Sequence, residues 1–251
     1  MAKHSRRMSP KEKRRHEKIV SGGTLNNKFS MRKISPITAT QEELFESYRN
    51  GYNLAAIGTA GTGKTMCAIY LGLLDVLTRP EYKKLIIVRS AVQTREQGFM
   101  PGSLQQKEAV FTIPYANIVN DLFDRGDAWD ILKQKHVVEF MTSSFVRGLT
   151  FDNAIIVVDE CQSMTYHELD SIITRVGENS KIIFCGDTKQ DDLQGSRNRN
   201  DVSGLSDFLD VLHDISSFRV VNFGIDDIVR SGLVKEYIIA KERVDQLQVA
   251  A

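Results

Sequence analysis

The sequence contains few of the residues that mark specialised classes of protein. Its 251 residues include 3 cysteines, 5 prolines and 5 histidines. Cysteines so few and so widely spaced exclude a disulfide-rich scaffold, and they predict buried thiols in a reducing compartment. The histidines are scattered, without the spacing of zinc ligands. No apolar run approaches the roughly 20 residues that a membrane-spanning helix needs. We therefore expect a cytoplasmic protein without membrane contact.

Net charge is also nearly absent, but the charges are unevenly distributed. The 33 Lys and Arg residues balance 32 Asp and Glu residues, for a formal charge of +1. Residues 1–33 hold 11 basic and 2 acidic side chains, which gives this segment +9 and leaves −8 for the remainder. With few large apolar groups, such a segment cannot fold alone. We predict a flexible basic arm over residues 1–36, either a solubilising tail or a contact for nucleic acid, and one domain over residues 37–251.

Beyond the arm, short apolar runs alternate with longer stretches of helical period. This alternation predicts an α/β fold with a largely parallel sheet flanked by helices. A helix is predicted over residues 64–77, ending before Pro80, and a final amphipathic helix or helix pair over residues 227–247. The predicted strands are 54–57, 85–88, 137–140, 154–158, 182–185 and 218–222.

A phosphate-binding loop follows the first predicted strand. Residues 58–65 read Gly-Thr-Ala-Gly-Thr-Gly-Lys-Thr, which matches the Walker A pattern at every fixed position. Its glycines let backbone N–H groups and the helix N-terminus face the phosphates, while Lys64 reaches the β and γ oxygens and Thr65 offers a hydroxyl to Mg²⁺. ATP or GTP is expected, and the GxGxxG spacing for dinucleotides is absent. The predicted nucleotide contacts here are Gly58, Thr59, Ala60, Gly61, Thr62, Gly63, Lys64, Thr65 and Met66.

A second metal anchor is predicted at the end of another buried strand. The apolar run 154–158 is followed by Asp159-Glu160. We expect Asp159 to hold Mg²⁺ through water, next to the Thr65 hydroxyl. Glu160 is the predicted catalytic base that accepts a proton from an attacking water, a role that hydrolases need and small-molecule kinases generally do not.

Two glutamines complete the set of candidate site residues. The segment 182–185 leads into Gly-Asp-Thr-Lys-Gln at residues 186–190. Gln190, with Asp187, would sense the γ-phosphate, or the segment is an ordinary turn. Gln41, which lies 17 residues before Gly58, would read an adenine edge with its amide.

Taken together, these segments resemble superfamily 1 helicase motors and, more closely, the PhoH-like ATPases, including short members carried by bacteriophages. The most specific resemblance lies in Gly-Phe-x-Pro-Gly at residues 98–102 and in Arg-Gly-x-Thr at residues 147–150. The other segments that carry the resemblance are Thr40-Gln41, 58–65, 89–92, 159–162, 186–190 and 227–230.

The resemblance implies a RecA-like P-loop NTPase core that binds and hydrolyses ATP with Mg²⁺. It further implies association with RNA, or helicase activity. It also implies assembly into a ring, which we expect to be hexameric. If the chain is encoded by a phage, we expect it in the host cytoplasm. Gln162 matches a family glutamine that contacts nucleotide. Two departures are Cys161, where the family usually has Ala, and Ser231-Gly232, which replaces the His-Pro that commonly follows the arginine matched by Arg230.

An arginine supplied from outside the core is expected to complete the site. A superfamily 1 motor closes two RecA-like domains over ATP, whereas this chain has length for one. In P-loop enzymes an arginine finger accelerates hydrolysis by about 10³- to 10⁵-fold. We predict that Arg230 of a neighbouring subunit plays this part, with Arg147 and Arg175 as rivals; alternatively, Arg230 caps or pairs at the surface.

Two functions from different classes follow. In the first, an ATPase ring couples ATP to the binding or remodelling of RNA or single-stranded DNA. The loop 89–107 then offers Arg89, Arg95, Phe99 and Lys107 to a strand, or serves as a subunit contact. In the second, ATP orders an assembly that binds a protein partner, without motor activity on nucleic acid. A small-molecule kinase is disfavoured by Glu160.

Overall fold

A single parallel sheet organises the domain. The computed structural model describes residues 29–90, 104–187 and 204–249. Within them, six strands lie in the order β3-β2-β4-β5-β1-β6, and every neighbouring pair is parallel. The strands are β1 (Asn53–Gly58), β2 (Lys84–Arg89), β3 (Val138–Thr142), β4 (Ala154–Asp159), β5 (Lys181–Gly186) and β6 (Phe218–Phe223).

The six predicted strands are confirmed, with small shifts at their ends. The central strands β4 and β5 are buried at all six positions. Strands covered on both faces appear in sequence as continuous apolar runs, which is why simple hydropathy located them. The edge strand β6 instead alternates between buried and more exposed residues.

Helices cover both faces of the sheet. The predicted helix after the first strand is confirmed, and it ends one residue beyond the predicted end. The helices are α1 (Ala39–Arg49), α2 (Lys64–Thr78), α3 (Leu104–Leu122), α4 (Ala128–Gln134), α5 (Tyr166–Ile173), α6 (Leu205–His213) and α7 (Gly232–Val249).

The last helix begins five residues later than predicted, at Gly232. Asp227 instead closes a short 3-10 turn, Ile225–Asp227, and its carboxylate accepts a hydrogen bond from the Gly224 N–H at 2.9 Å. The chain then approaches the phosphate-binding loop, where the Val229 N–H donates to the Gly61 carbonyl at 3.1 Å. The contact with this loop therefore takes the place of the first turn of the predicted helix.

Two apolar layers hold the helices to the sheet. Side chains of α1, α2, α3 and α4 pack on one face, among them Leu44, Leu71 and Val119. Helices α5 and α6 cover the other face with residues such as Leu169 and Phe208. Alternate strand residues point to opposite faces, so each strand contributes to both layers.

Part of the predicted basic arm belongs to the body. Phe29, Met31 and Ile34 pack against the first apolar layer. The rings of Phe29 and Phe123 lie 4.6 Å apart, and the Arg32 N–H donates to the Leu122 carbonyl at 2.7 Å. The apolar side chains among the basic ones thus anchor residues 29–34, and the predicted arm of residues 1–36 extends too far toward the domain.

The three cysteines are free and buried, as predicted. Burial raises the pKa of the Cys67 thiol to about 12 and also raises the pKa values of the Cys161 and Cys185 thiols, which makes them poor nucleophiles. A separate finding concerns membranes: none of the helices in the described ranges is both long and apolar enough to cross one.

Candidate nucleotide site

The candidate residues gather where the strands of the sheet end. Parallel strands bring their carboxyl ends to one edge, which is where α/β sheets bind ligands. The phosphate-binding loop follows β1, Asp159-Glu160 closes β4, and Asp187 follows β5. Strand β5 lies between β1 and β4, so this edge carries the three sequence motifs on three adjacent strands.

The backbone of the phosphate-binding loop requires glycine at its first position. Gly58 has a φ of +126°, and a Cβ there would collide with the backbone carbonyl of Phe223 on the neighbouring strand β6. The same carbonyl accepts a hydrogen bond from the Thr59 N–H at 3.0 Å. The start of the loop is therefore fixed against the edge strand, and α2 begins at Lys64 with its N-terminus toward the loop.

Lys64 lies inside the curl of this loop. Its Nζ donates to the carbonyl oxygens of Gly58 and Thr59, each at 2.7 Å, and to the Thr62 hydroxyl at 3.3 Å. Burial lowers the pKa of Lys64, and the nearby acidic groups, Asp187 first among them, oppose the shift. A phosphate would offer the ammonium group charged acceptors in place of these neutral ones, and such hydrogen bonds are stronger.

Asp159 forms the expected pair with Thr65. The Thr65 hydroxyl donates to Asp159 Oδ1 at 2.7 Å, and Asp159 is 6% exposed. Burial, and next the charge of Glu160, raise the pKa of Asp159 to about 6 despite hydrogen bonds that favour its ionised form. The carboxylate is thus held in place at the point where the sequence predicts the metal anchor.

The residues present fit a magnesium ion. Mg²⁺ binds oxygen ligands and usually takes one or two protein groups together with substrate phosphates, and Thr65 and Asp159 supply oxygens side by side. No group of three or more His, Cys, Asp or Glu side chains that could hold a metal is found within the described ranges. An ion at this pair would take its remaining ligands from phosphate oxygens and water.

Glu160 is partly exposed and has a left-handed backbone conformation, with φ at +53°. Its Oε2 accepts a hydrogen bond from Gln162 Nε2 at 2.6 Å. Gln162 Oε1 in turn accepts from the Asp187 N–H at 3.0 Å. The Gln162 amide therefore bridges the predicted base to the end of β5. A direct nucleotide contact by Gln162 stays a prediction.

Gln41 is attached to the phosphate-binding loop. Its Nε2 donates to the Thr62 carbonyl at 3.0 Å, and its Oε1 accepts from the Ile37 N–H at 3.0 Å. The side chain is 2% exposed. Nearby, the Thr40 hydroxyl donates to Asp227 at 2.9 Å. Adenine recognition by Gln41 stays a prediction, and the observed contacts give it a second role in shaping the loop.

Arg230 lies beside the phosphate-binding loop of its own chain. A Cβ on Gly61 would come within 3.1 Å of Arg230 Cγ, which places the aliphatic part of the arginine against the loop. Its use by a neighbouring subunit stays a prediction. The rival Arg175 lies between α5 and the start of β5, at the opposite end of the sheet from the site, and Arg147 is exposed.

Two residues at this edge were not selected as site residues from the sequence. Tyr115 on α3 donates its hydroxyl to Asp159 Oδ2 at 3.0 Å. Arg89, for which the sequence predicts a contact with nucleic acid or with another subunit, lies beside Asp159 in the strand register, and its charge lowers the pKa of Asp159. Arg89 could have been found from its place at the end of a strand, but nothing in the sequence around Tyr115 distinguishes it from a core residue.

Several predictions fall outside the residues that the structure describes. Gln190, the predicted γ-phosphate sensor, is one of them, and most of the loop 89–107 is another. Asp187 is described and buried.

Comparison with known proteins gives a consistent match. The family model described as PhoH-like protein matches residues 33–242. A PhoH-like protein of Mycobacterium tuberculosis (strain ATCC 25618 / H37Rv) is 31% identical over 214 residues, which cover 85% of this chain and 59% of the relative. Protein PhoH of Escherichia coli (strain K12) is 31% identical over 247 residues, covering 94% of this chain and 68% of that protein.

Solved structures show more distant likeness. The large terminase of a thermophilic bacteriophage, in complex with ADP, is 11% identical with a TM-score of 0.45, over 80% of this chain and 49% of the terminase chain. The UvsW helicase of bacteriophage T4 is 18% identical with a TM-score of 0.40, over 71% of this chain and 61% of the helicase chain.

The parallel sheet, with the phosphate-binding loop after β1 and an acidic pair after β4, is a RecA-like P-loop NTPase core. The chain spans about 59% of the length of the first curated relatives that it matches. Because the family model covers most of its residues, this chain belongs to the PhoH-like protein family.

Proposed function

We propose that the protein binds ATP with Mg²⁺ at the carboxyl edge of its sheet, hydrolyses the ATP, and couples nucleotide state to RNA or single-stranded DNA. The observation that carries the proposal is the meeting of three groups at one edge. Lys64 lies within the phosphate-binding loop, the Thr65 and Asp159 oxygens are in contact, and the partly exposed Glu160 follows Asp159 directly.

These side chains divide the work of hydrolysis. Lys64 neutralises phosphate charge, and a bound Mg²⁺ would add to this neutralisation. Glu160 accepts the proton of the water whose oxygen attacks the γ-phosphorus, while the bond from that phosphorus to the β–γ bridging oxygen breaks. Gln162 holds one oxygen of Glu160 at 2.6 Å, so the other oxygen is available to the water.

Self-association is part of the proposal, and the outer face of α7 supports it. Leu233, Tyr237 and Val244 are 79%, 66% and 51% exposed. Together with Ala240, these residues are separated by four, three and four positions, which is the spacing of the apolar seam of a coiled coil. We call these four residues the seam of α7. The opposite side of the helix faces the domain, since a Cβ on Gly61 would lie 3.3 Å from Ile238 Cδ1.

A second copy of the same helix is the partner that fits this seam. In a parallel pair, a residue flanking the seam faces the residue five positions further along the partner helix. Glu236 would then face Lys241, and both are exposed in this chain. The spacing and the opposite charges together favour a parallel α7 pair within the assembly.

Charge reversal tests this pairing. Glu236→Lys alone and Lys241→Glu alone should each weaken association several-fold. Each variant puts like charges opposite one another in both 236–241 contacts of the helix pair, and each such contact changes the free energy of association by about 0.2–1 kcal/mol. The double variant should restore it. Sedimentation equilibrium over a range of concentrations measures the change. Masses that are the same for all four proteins would contradict the α7 pairing, whatever the nucleotide chemistry.

Coupling to nucleic acid is tested with the basic arm. Residues 2–28 hold nine basic and two acidic side chains and precede the packed residues 29–34. If about five of these charges neutralise phosphates of a single strand, the slope of log K against log salt contains about −3.5 from the arm. The chain lacking residues 2–28 should bind RNA or single-stranded DNA more weakly and with a flatter slope, while its basal ATPase rate is unchanged.

The same preparation decides between the two functions. ATPase rates of the full chain are measured alone and with RNA, single-stranded DNA or duplex DNA. Stimulation by a single strand that is lost with the arm supports the proposal. An unstimulated ATPase that binds none of these polymers would favour the alternative, a nucleotide-dependent assembly that binds a protein partner.

A further inference from the structure

The carboxylate of Asp159 is held from two sides. Thr65 Oγ1, at the start of α2, donates to Oδ1 at 2.7 Å. Tyr115 Oη, on α3, donates to Oδ2 at 3.0 Å. Because the two donors come from different helices and take different oxygens, they fix the plane of the carboxylate as well as its position.

The Tyr115 hydroxyl is a costly choice for an ordinary core position. Tyr115 is 1% exposed, and its ring lies among apolar residues, 5.7 Å from the ring of Phe140. A buried hydroxyl needs a hydrogen-bond partner, and phenylalanine would fill the same space without one. The partner that it has is the predicted metal anchor.

Helix α3 contacts this edge a second time, one turn earlier. The Phe111 ring lies 5.7 Å from the Arg89 guanidinium carbon, and Arg89 is the register neighbour of Asp159. The position of α3 along the sheet is thereby fixed at two points next to the anchor. The Tyr115 hydroxyl is accordingly directed at Asp159 by a helix that is itself held there.

We propose that Tyr115 is a positioning residue that orients the Asp159 carboxylate toward the magnesium ion of a bound nucleotide. This inference rests on the proposed function. With Thr65 as the sole donor, the carboxylate could still turn about its Cβ–Cγ bond and move Oδ2, whereas the second donor holds both oxygens in one orientation. Tyr115 would act on the ion through Asp159, to which its hydroxyl donates.

The test is the part of ATP affinity that depends on magnesium. ATP binding is measured by calorimetry with Mg²⁺ and with EDTA, in Glu160→Gln protein so that ATP is not consumed. In Tyr115→Phe, the ratio of the two affinities should fall by about tenfold, because the Asp159 carboxylate loses one of the two charge-assisted hydrogen bonds that fix its orientation. Affinity in EDTA should be unchanged.

Tyr48→Phe is the matched control. Tyr48 is also a buried tyrosine, 2% exposed, but its backbone carbonyl contacts Lys181 at the amino end of β5, away from the site. This variant should leave the magnesium-dependent ratio as it is. An equal loss of affinity with and without Mg²⁺ in Tyr115→Phe, or no change in the ratio, would overturn the inference and leave Tyr115 a packing residue.

A second variant covers the case in which Tyr115→Phe does not fold. A ring-fluorinated tyrosine placed at position 115 keeps the hydroxyl and makes it a stronger donor. The ratio of ATP affinity with Mg²⁺ to ATP affinity with EDTA should therefore change, while the protein should still fold. A ratio equal to that of the parent would refute the positioning role. The parent protein separately tests the proposed function, because failure to bind ATP, or binding that ignores Mg²⁺, would overturn the nucleotide site itself.

Discussion

Lys64→Ala should abolish ATP hydrolysis and weaken ATP binding by about 10- to 100-fold. The ammonium group lies in the curl of the phosphate-binding loop, where it donates to two backbone carbonyls at 2.7 Å. In the complex it would donate to phosphate oxygens, and such charge-assisted hydrogen bonds contribute roughly 1.5–3 kcal/mol each. Its charge also opposes the negative charge that develops during phosphoryl transfer. ATP binding by calorimetry and phosphate release measure the two effects.

Lys84→Ala is the control for Lys64→Ala. Lys84 is half-buried at the amino end of β2 and pairs with Glu139 at 2.8 Å, so its loss should cost little stability and leave ATP binding intact. Both variants should keep a cooperative thermal transition, because neither side chain belongs to the apolar layers. Turnover by Lys64→Ala protein at the parent rate would remove the loop from the mechanism.

Glu160→Gln should keep ATP affinity within about threefold of the parent and lower the hydrolysis rate by about 10²- to 10⁴-fold, the usual contribution of a general base. The amide cannot accept the proton of the attacking water. Its oxygen can still accept the hydrogen bond that Gln162 Nε2 donates at 2.6 Å, and the Thr65–Asp159 pair is untouched. Binding and rate should therefore separate, which rapid-quench and equilibrium measurements on the same protein can establish.

The matched control for Glu160→Gln is Glu178→Gln. Glu178 is an exposed carboxylate in the turn before β5, and its neutralisation should change neither quantity. If Glu160→Gln lost binding and hydrolysis in equal proportion, the residue would be a ligand of the nucleotide complex and not the base. Hydrolysis at the parent rate would assign the proton transfer to another group.

The strands and the phosphate-binding loop could be predicted because their causes are local. A strand covered on both faces must be apolar at nearly every position, and a loop that curls around phosphates needs glycine where φ is positive, as at Gly58. The metal pair followed from these two, because parallel strands end at a common edge. Thr65 and Asp159 were predicted to act together, and their side chains are in contact.

The remaining features depend on contacts between distant parts of the chain. Tyr115 reaches Asp159 across 44 residues, and no periodicity or spacing marks it. Gln41 was identified from its residue type, but its amide is directed by the positions of Ile37 and Thr62. The late start of α7 likewise follows from Asp227 and Val229, whose partners, Thr40 and Gly61, lie far away in sequence.

The strand order has a consequence for how the protein is made. Strand β1 is synthesised first, yet its two neighbours in the sheet, β5 and β6, are the last strands to leave the ribosome. The Thr59 N–H donates to the carbonyl of Phe223, and the Gly61 carbonyl accepts from the N–H of Val229. Both partners are synthesised long after the loop. Pairings this distant in sequence form late in folding. We therefore expect a nascent chain that already carries the whole Walker A sequence to hold a nucleotide only after residue 229 has left the ribosome.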